Sequence, residues 1–374
     1  MRHIALLLSL FLIALASSLQ AKALRLAVIP RQDSGVYWDE IHAGMLAGKR
    51  DLAKMKIDVD VFWLPPGGAG TAADQVALVQ KVSAARFDAL IISPIDVVVL
   101  RPVIEAAIRA GLPVLVFDNL LSSPLTLAYV GTNNFEAGQI AGGFLGKQIG
   151  EQGSVLVVGD PDASTNVRER IKGFVDGARI FPNVFCLSSG DYADTLPGAR
   201  PAVAGAMMKK YASRLNGVLT ADPALLPLSL QDLQDAGLAD SHIFHVVIGS
   251  SPDLVDALRD GKIQALIADN PFGIGMQALR STVDALEGKS IAPRISVSTQ
   301  IVTADKIDAP ENQMALRPPV EEFLKDGKEV PQPPVVVPPP AEAPAAAATP
   351  ASVPATAPAP EEKDASKEAA PEAK

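Results

Sequence analysis

The chain has 374 residues, one cysteine and a formal net charge of -9 at pH 7. An acidic balance without basic patches excludes a nucleic-acid partner, since phosphate recognition rests on clustered Lys and Arg. A lone cysteine cannot bridge within the chain, so stability has to come from core burial, and Cys186, in the apolar stretch 184–187, reads as core rather than as a reactive thiol.

Residues 1–23 are expected to be a signal peptide. The basic end Met1-Arg2-His3 leads into an apolar run over 4–16, and the small residues ending Ala21-Lys22-Ala23 match an Ala-x-Ala cleavage site. The run is shorter than the ~20 residues of a membrane span. No cysteine follows it to carry a lipid, so the mature chain is expected to begin near Leu24 and to be soluble.

From there, apolar β-branched runs alternate with amphipathic stretches. Strands are expected at 25–29, 59–63, 89–92, 114–117, 155–158, 184–187, 218–220, 244–248 and 263–267. Helical three- and four-residue spacing marks 37–54, 73–85, 100–110, 136–149 and 167–180. Strands apolar throughout, such as Leu90-Ile91-Ile92, belong to sheets covered on both faces, and their alternation with helices indicates parallel βαβ units. The fold class is therefore doubly wound α/β, in two comparable series before and after Gly131-Thr132-Asn133. From about Pro318 the periodicity gives way to Pro, Ala, Glu and Lys, and residues 318–374 are expected to be a disordered tail. That tail reads either as a spacer toward envelope components or as an inert extension.

In open parallel sheets, ligands bind beyond the carboxyl ends of the strands, so the residues there are the site candidates. The first strand is followed by Arg31, Gln32 and Asp33, then by Tyr37-Trp38, whose rings suit either a sugar face or a helix core. The third strand ends at Ser93 and the fourth at Asp118-Asn119. A carboxylate such as Asp118 accepts two hydroxyl hydrogen bonds, although Asp and Asn also favour turns and caps. In the second series, Arg168 opens a helix and offers a fork of donors, whereas Arg170 is expected to point elsewhere as a structural ion-pair residue. Tyr192, Asp222, Ser250-Ser251 and Asp269-Asn270 follow later strands.

These pieces together resemble the periplasmic sugar-binding proteins of the ribose- and galactose-binding type, the soluble components of ABC importers. The resemblance runs over about 25–302. It is carried by Tyr37-Trp38 with Gly44, Ile92-Ser93-Pro94-Ile95-Asp96, Pro113 to Asp118, Gly131-Thr132-Asn133-Asn134 with Ala137-Gly138, and Arg168-Glu169-Arg170 with Gly173-Phe174. Pro252-Asp253-Leu254 with Gly261 and Asp269-Asn270-Pro271-Phe272 with Gly275 complete it.

The resemblance implies two lobes joined by a three-crossing hinge near Gly131, Asp269 and Ile295. The lobes would be 24–131 with 270–296, and 132–269 with 297–308. It implies a periplasmic, monomeric, non-enzymatic protein without cofactor or metal, closing on a sugar or polyol and docking on an ABC permease. The implied ligand-binding residues are Arg31, Tyr37, Trp38, Ser93, Asp118, Asn119, Arg168, Tyr192, Asp222, Ser251 and Asp269. Arg31 stands where that family usually has a small polar residue, and Ser250-Ser251 where it usually has Phe-Asp.

Other readings fit less well. Gly68-Ala69-Gly70 approximates a dinucleotide loop but follows the second strand, with no acid at the required spacing. The pair His242 and His245 lacks further metal ligands and marks a strand start. A helix-turn-helix before Leu24 is missing, which removes a repressor role and leaves, beside transport, a ligand-presenting partner of a chemoreceptor or sensor kinase.

Overall fold

The computed structural model describes residues 22–67, 70–188, 198–239 and 242–325. Tyr192, the pair Gly68-Ala69 and residues 1–21 and 326–374 lie outside the described residues.

The first series alternates β1 (Leu24–Ile29), α1 (Val36–Lys54), β2 (Val59–Trp63), α2 (Ala72–Ala84), β3 (Ala89–Ile92), α3 (Val97–Arg109), β4 (Val114–Phe117) and β5 (Tyr129–Thr132). The second runs α4 (Asn134–Gln148), β6 (Gln152–Val158), α5 (Thr165–Ala178), β7 (Asn183–Cys186), α6 (Pro201–Tyr211), β8 (Leu215–Thr220), α7 (Leu226–Asp235), β9 (Phe244–Ile248), α8 (Pro252–Arg259) and β10 (Ala265–Ala268). The chain then continues through α9 (Pro271–Leu286), β11 (Arg294–Val297), β12 (Gln300–Val302), α10 (Pro310–Leu316) and α11 (Val320–Leu324).

Two six-stranded sheets result, in the orders β11-β5-β4-β3-β1-β2 and β12-β10-β9-β8-β6-β7. The pairings in the first are all parallel, and in the second only β12 runs antiparallel, against β10. The doubly wound α/β class is as the apolar runs indicate. Central strands β3, β4 and β10 are buried at every position, because helices cover both faces.

The chain passes between lobes after β5, after β10, and between β11 and β12, so the third crossing lies at 298–299, past the expected Ile295. A fourth passage follows. Ala315 and Leu316 of α10 join the second lobe's core with Val302 and Leu266. After Arg317-Pro318-Pro319, α11 returns to the first lobe, where Phe323 packs on Ala43, Ala47 and Phe272. Arg50 reinforces the contact, 4.5 Å over the Phe323 ring and 2.6 Å from Glu322. The expected start of the tail at Pro318 is therefore too early: Pro318 and Pro319 turn the chain, and the following residues carry an apolar anchor.

Glycines set how closely the helices that carry the cleft residues approach. A Cβ on Gly275 of α9 would lie 1.9 Å from the Ile41 carbonyl of α1, and one on Gly44 would lie 1.9 Å from the Phe272 carbonyl. Gly138 of α4 and Gly173 of α5 do the same in the second lobe, at 2.2 Å from Arg170 O and 1.9 Å from Phe135 O. The backbones thus touch directly, fixing the starts of α1 and α5 against the hinge segments.

Cys186 is half-buried at the margin of the second core rather than fully inside it, and burial pushes its thiol up to about 11. His245 is a core residue of β9, its Nε2 2.8 Å from Thr220 Oγ1, and burial lowers it to about 4. Among the described residues, no helix is long and apolar enough to cross a membrane.

Candidate functional site

Where the carboxyl ends of the two sheets face each other, a cleft of ≈ 420 Å³ opens, lined from both lobes. Seven of the eleven expected residues line it: Arg31, Tyr37, Trp38, Asp118, Asp222, Ser251 and Asp269.

Asp118 is the hub on the first-lobe side. It follows β4 in the left-handed backbone region (φ 58), which short polar side chains tolerate better than most, and is held there by Tyr129 Oη donating to its carbonyl at 2.7 Å. Its carboxylate accepts from Tyr37 Oη at 2.7 Å and from Ser93 Oγ at 3.2 Å. Ser93 is thus beneath the cleft, orienting Asp118, rather than among its lining. Burial raises the Asp118 carboxyl, opposed by the Tyr37 hydrogen bond, the Arg31 charge, Ser93 and Arg170. Burial and the Asp118 charge hold the Tyr37 phenol well above its ordinary value, so it remains a donor.

Trp38 contributes an edge to the cleft, but its indole belongs to the core: it is 6% exposed and sits T-shaped against Phe117 at 6.3 Å. Its Nε1 donates to Gln32 Oε1 at 3.1 Å, which steadies the loop after β1.

On the second lobe, Ser164 caps α5 by accepting from Val167 N, and that start aims Asn166 and Arg170, one helical turn apart, into the cleft. Arg170 Nε donates to Asn134 Oδ1 at 2.8 Å, Nη1 to Ala221 O at 3.2 Å, and Nη2 lies 3.5 Å from Asp269 Oδ2. Ser250 Oγ donates to the other Asp269 oxygen at 2.7 Å. Asp222 caps the turn after β8 by accepting from Ala224 N at 3.1 Å, so its capping and lining roles coincide.

The expectation for the two arginines is reversed. Arg168 is not among the lining residues; its Nε donates to Pro161 O at 3.1 Å and its Nη2 pairs with Asp162 at 2.8 Å. Arg170 is an ion-pair residue, as expected, but its pair is inside the cleft. The helix start decides this, and the i, i+4 pairing of Asn166 with Arg170 was the available signal. Asn119 is likewise off the lining, with Nδ2 on Pro94 O at 2.8 Å. It bridges the lobes instead, accepting from Thr165 Oγ1 at 2.7 Å, beside Asn166 Nδ2 at 3.3 Å from Asp118. The lobes are therefore drawn together across the cleft mouth. Sequence reading also missed Glu40, buried on α1 and lining the cleft.

Two parallel-sheet lobes, a multi-crossing hinge and a polar cleft between strand ends define the architecture of a two-lobed binding protein. Residues 26–290 match the family model described as a periplasmic binding protein domain, and the chain belongs to that family. It is 25% identical over 241 residues to the ribose import binding protein of Salmonella typhimurium, covering 62% of this chain and 76% of that one. It is 25% identical over 223 residues to the D-ribose/D-allose-binding protein of Pseudomonas aeruginosa, covering 57% and 68%. Among solved structures, an ABC transporter solute-binding protein from Agrobacterium vitis bound with α-D-tagatopyranose superposes with a TM-score of 0.63 at 24% identity, covering 80% of this chain and 98% of that one.

Proposed function

We propose that the protein is a periplasmic solute-binding protein that captures a sugar or polyol in the interlobe cleft and delivers it to an ABC permease. The observation that carries this reading is the convergence of Asp118 from one lobe with Arg170, Asp222 and Asp269 from the other on a single cleft. Vicinal hydroxyls both donate and accept, so they satisfy carboxylates and a guanidinium together. A ligand touching both lobes favours the closed arrangement by its differential affinity for it, and the permease then reads closure as occupancy. The ligands named for the relatives, ribose, allose and tagatose, are of this class.

A thermal-shift screen of pentoses, hexoses and alditols, followed by calorimetry, tests the reading. A cognate ligand at a hundredfold excess over its Kd stabilises the folded state by about 2.7 kcal/mol. A panel that leaves the melting temperature unchanged throughout defeats the reading.

A further inference from the structure

Glu40 is only 4% exposed, and what exposure it has opens to the cavities it lines; among the described residues no hydrogen bond or ion pair reaches its carboxyl, whose oxygens are not among the fully enclosed unpartnered atoms. It lines the main cleft on one side and, on the other, a second cavity of ≈ 290 Å³ between α1, α8 and the Arg317-Pro318 passage. A largely buried carboxyl with no protein donor is costly unless solvent or a ligand in the cleft supplies the contact.

The charges around it are accounted for. Arg170 is engaged with Asp269 and Asn134, and Arg31 acts on Asp118, which also holds Tyr37, Ser93 and Asn166. Asp222 is committed to Ala224 N. On the second-cavity side, Arg259 pairs with Asp256 at 3.3 Å and Arg317 with Asp308 at 3.2 Å, so neither answers Glu40. Asp39 on its own helix and Asp269 across the cleft only add negative charge. The cleft thus carries four carboxyls, Glu40, Asp118, Asp222 and Asp269, against the two guanidiniums of Arg31 and Arg170.

Resting on the capture reading above, we propose that Glu40 receives a protonated amino group of the ligand, so that the cleft takes an amino sugar or amino polyol in preference to the neutral parent. An ammonium supplies donors to a carboxyl that lacks them and offsets the surplus negative charge, whereas a hydroxyl does only the first. Burial, then Asp269 and Asp39, push Glu40 up to about 8, so below that pH it is largely protonated in the free protein. Docking of a cation favours the carboxylate, and the Glu40 proton leaves to solvent. Affinity for the amine therefore carries proton release below about pH 8.

Calorimetry on the purified protein and its E40Q variant, with glucose and glucosamine, galactose and galactosamine, and mannose and mannosamine, tests this. Runs at about pH 6.5 in two buffers of different ionisation enthalpy measure the released proton. The expected result is an amine bound about tenfold or more tighter than its parent by the wild type, with proton release. E40Q, nearly isosteric and relieved of a buried acid, should melt no lower than the wild type and lose both the preference and the proton release. Parent sugars bound as well as or better than the amines overturn the inference and leave sugar capture standing. Preference retained in E40Q overturns the role of Glu40. Binding of no member of any pair overturns the inference and counts against the capture reading as well.

Discussion

The Arg170 guanidinium lies 3.5 Å from the Asp269 carboxylate, with side chains 8% and 5% exposed. Asn134, which accepts from the same arginine, begins the first passage between lobes, and Asp269 begins the second. One side chain therefore ties two hinge segments to α5. Arg170→Ala leaves Asp269 buried with Ser250 as its one remaining side-chain donor among the described residues, and removing one partner of a buried pair costs about 3–5 kcal/mol. Arg168→Ala, by contrast, removes a partly exposed pair with Asp162 together with the bond to Pro161 O, and should cost less than the loss of the buried pair. Urea denaturation of the two variants separates them. Equal losses would show that the buried pair does not anchor the hinge.

Asp118→Asn preserves shape but removes the charge that accepts from Tyr37 and Ser93. The expected loss of ligand affinity is about 1.5–3 kcal/mol, since hydrogen bonds to charged groups have that net worth. Tyr37→Phe should cost stability by up to a similar amount, because it leaves Asp118 Oδ1 with the longer 3.3 Å contact from Asn166 in place of the 2.7 Å bond. Calorimetry with the sugar identified by screening, and thermal denaturation without it, read the two effects. Unchanged affinity in Asp118→Asn would remove this carboxylate from the ligand contacts.

Glu40 also gives a pH signature without ligand. Its folded-state value, about 8, lies above its ordinary value of 4.5, so between the two the folded protein holds more protons than the unfolded chain. Stability contributed by this group is then present at low pH and falls as pH rises through that window, with a limiting slope of about 1.4 kcal/mol per pH unit. Asp118 and Asp39 are raised and act in the same sense, so the difference from E40Q isolates Glu40. Chemical denaturation between about pH 5 and 8.5 should show the wild type losing stability relative to E40Q. Parallel curves would mean that the carboxyl is hydrated.

The central strands were legible because burial on both faces demands unbroken apolar runs, as in Leu90-Ile91-Ile92. β5 escaped notice because Gly131 and Thr132 interrupt its apolar residues, and β11 and β12 because these edge strands are only three or four residues long and mostly not buried. At the site, residue type after a strand found Asp118, Asp222 and Asp269, since each strand end fixes position along the sheet. It failed for the arginines, where facing depends on a helix start known only to within a residue or two. Glu40 resembles any acid on an amphipathic helix. Its burial depends on segments distant in sequence, α8 and the Arg317-Pro318 passage, that line the same cavity.

The return of the chain through α11 should matter for the hinge. Phe323 is anchored on Phe272 of α9 and beneath Arg50 of α1, while α10 is part of the other lobe. Phe323→Ala should lower stability by about 1.5–3 kcal/mol, the worth of burying one large apolar side chain. Release of the strap should also widen the distribution of lobe separations in small-angle scattering. A variant that loses stability with scattering unchanged would make α11 a cover for the first lobe and not a restraint.

The reciprocal glycine contact between α1 and α9 gives the most local test of how the fold positions the cleft. Gly275→Ala places a methyl 1.9 Å from Ile41 O and 3.0 Å from Met45 N, both backbone atoms, so the helices have to separate. Overpacking of this kind costs about 1–3 kcal/mol. Because Ile41 follows Glu40 directly, the shift also displaces the cleft wall, and ligand affinity should fall although residue 275 is not among the lining residues. Gly143→Ala is the control: it lies within α4, where the added methyl meets only Ile180 Cδ1 at 3.9 Å, and helix propensity should make it stabilising by about 0.5–1 kcal/mol. Matched denaturation and calorimetry on the two variants distinguish a packing effect transmitted to the cleft from a general response to glycine replacement. If Gly275→Ala binds ligand as the wild type does, the α1–α9 contact supports the fold without setting the cleft geometry.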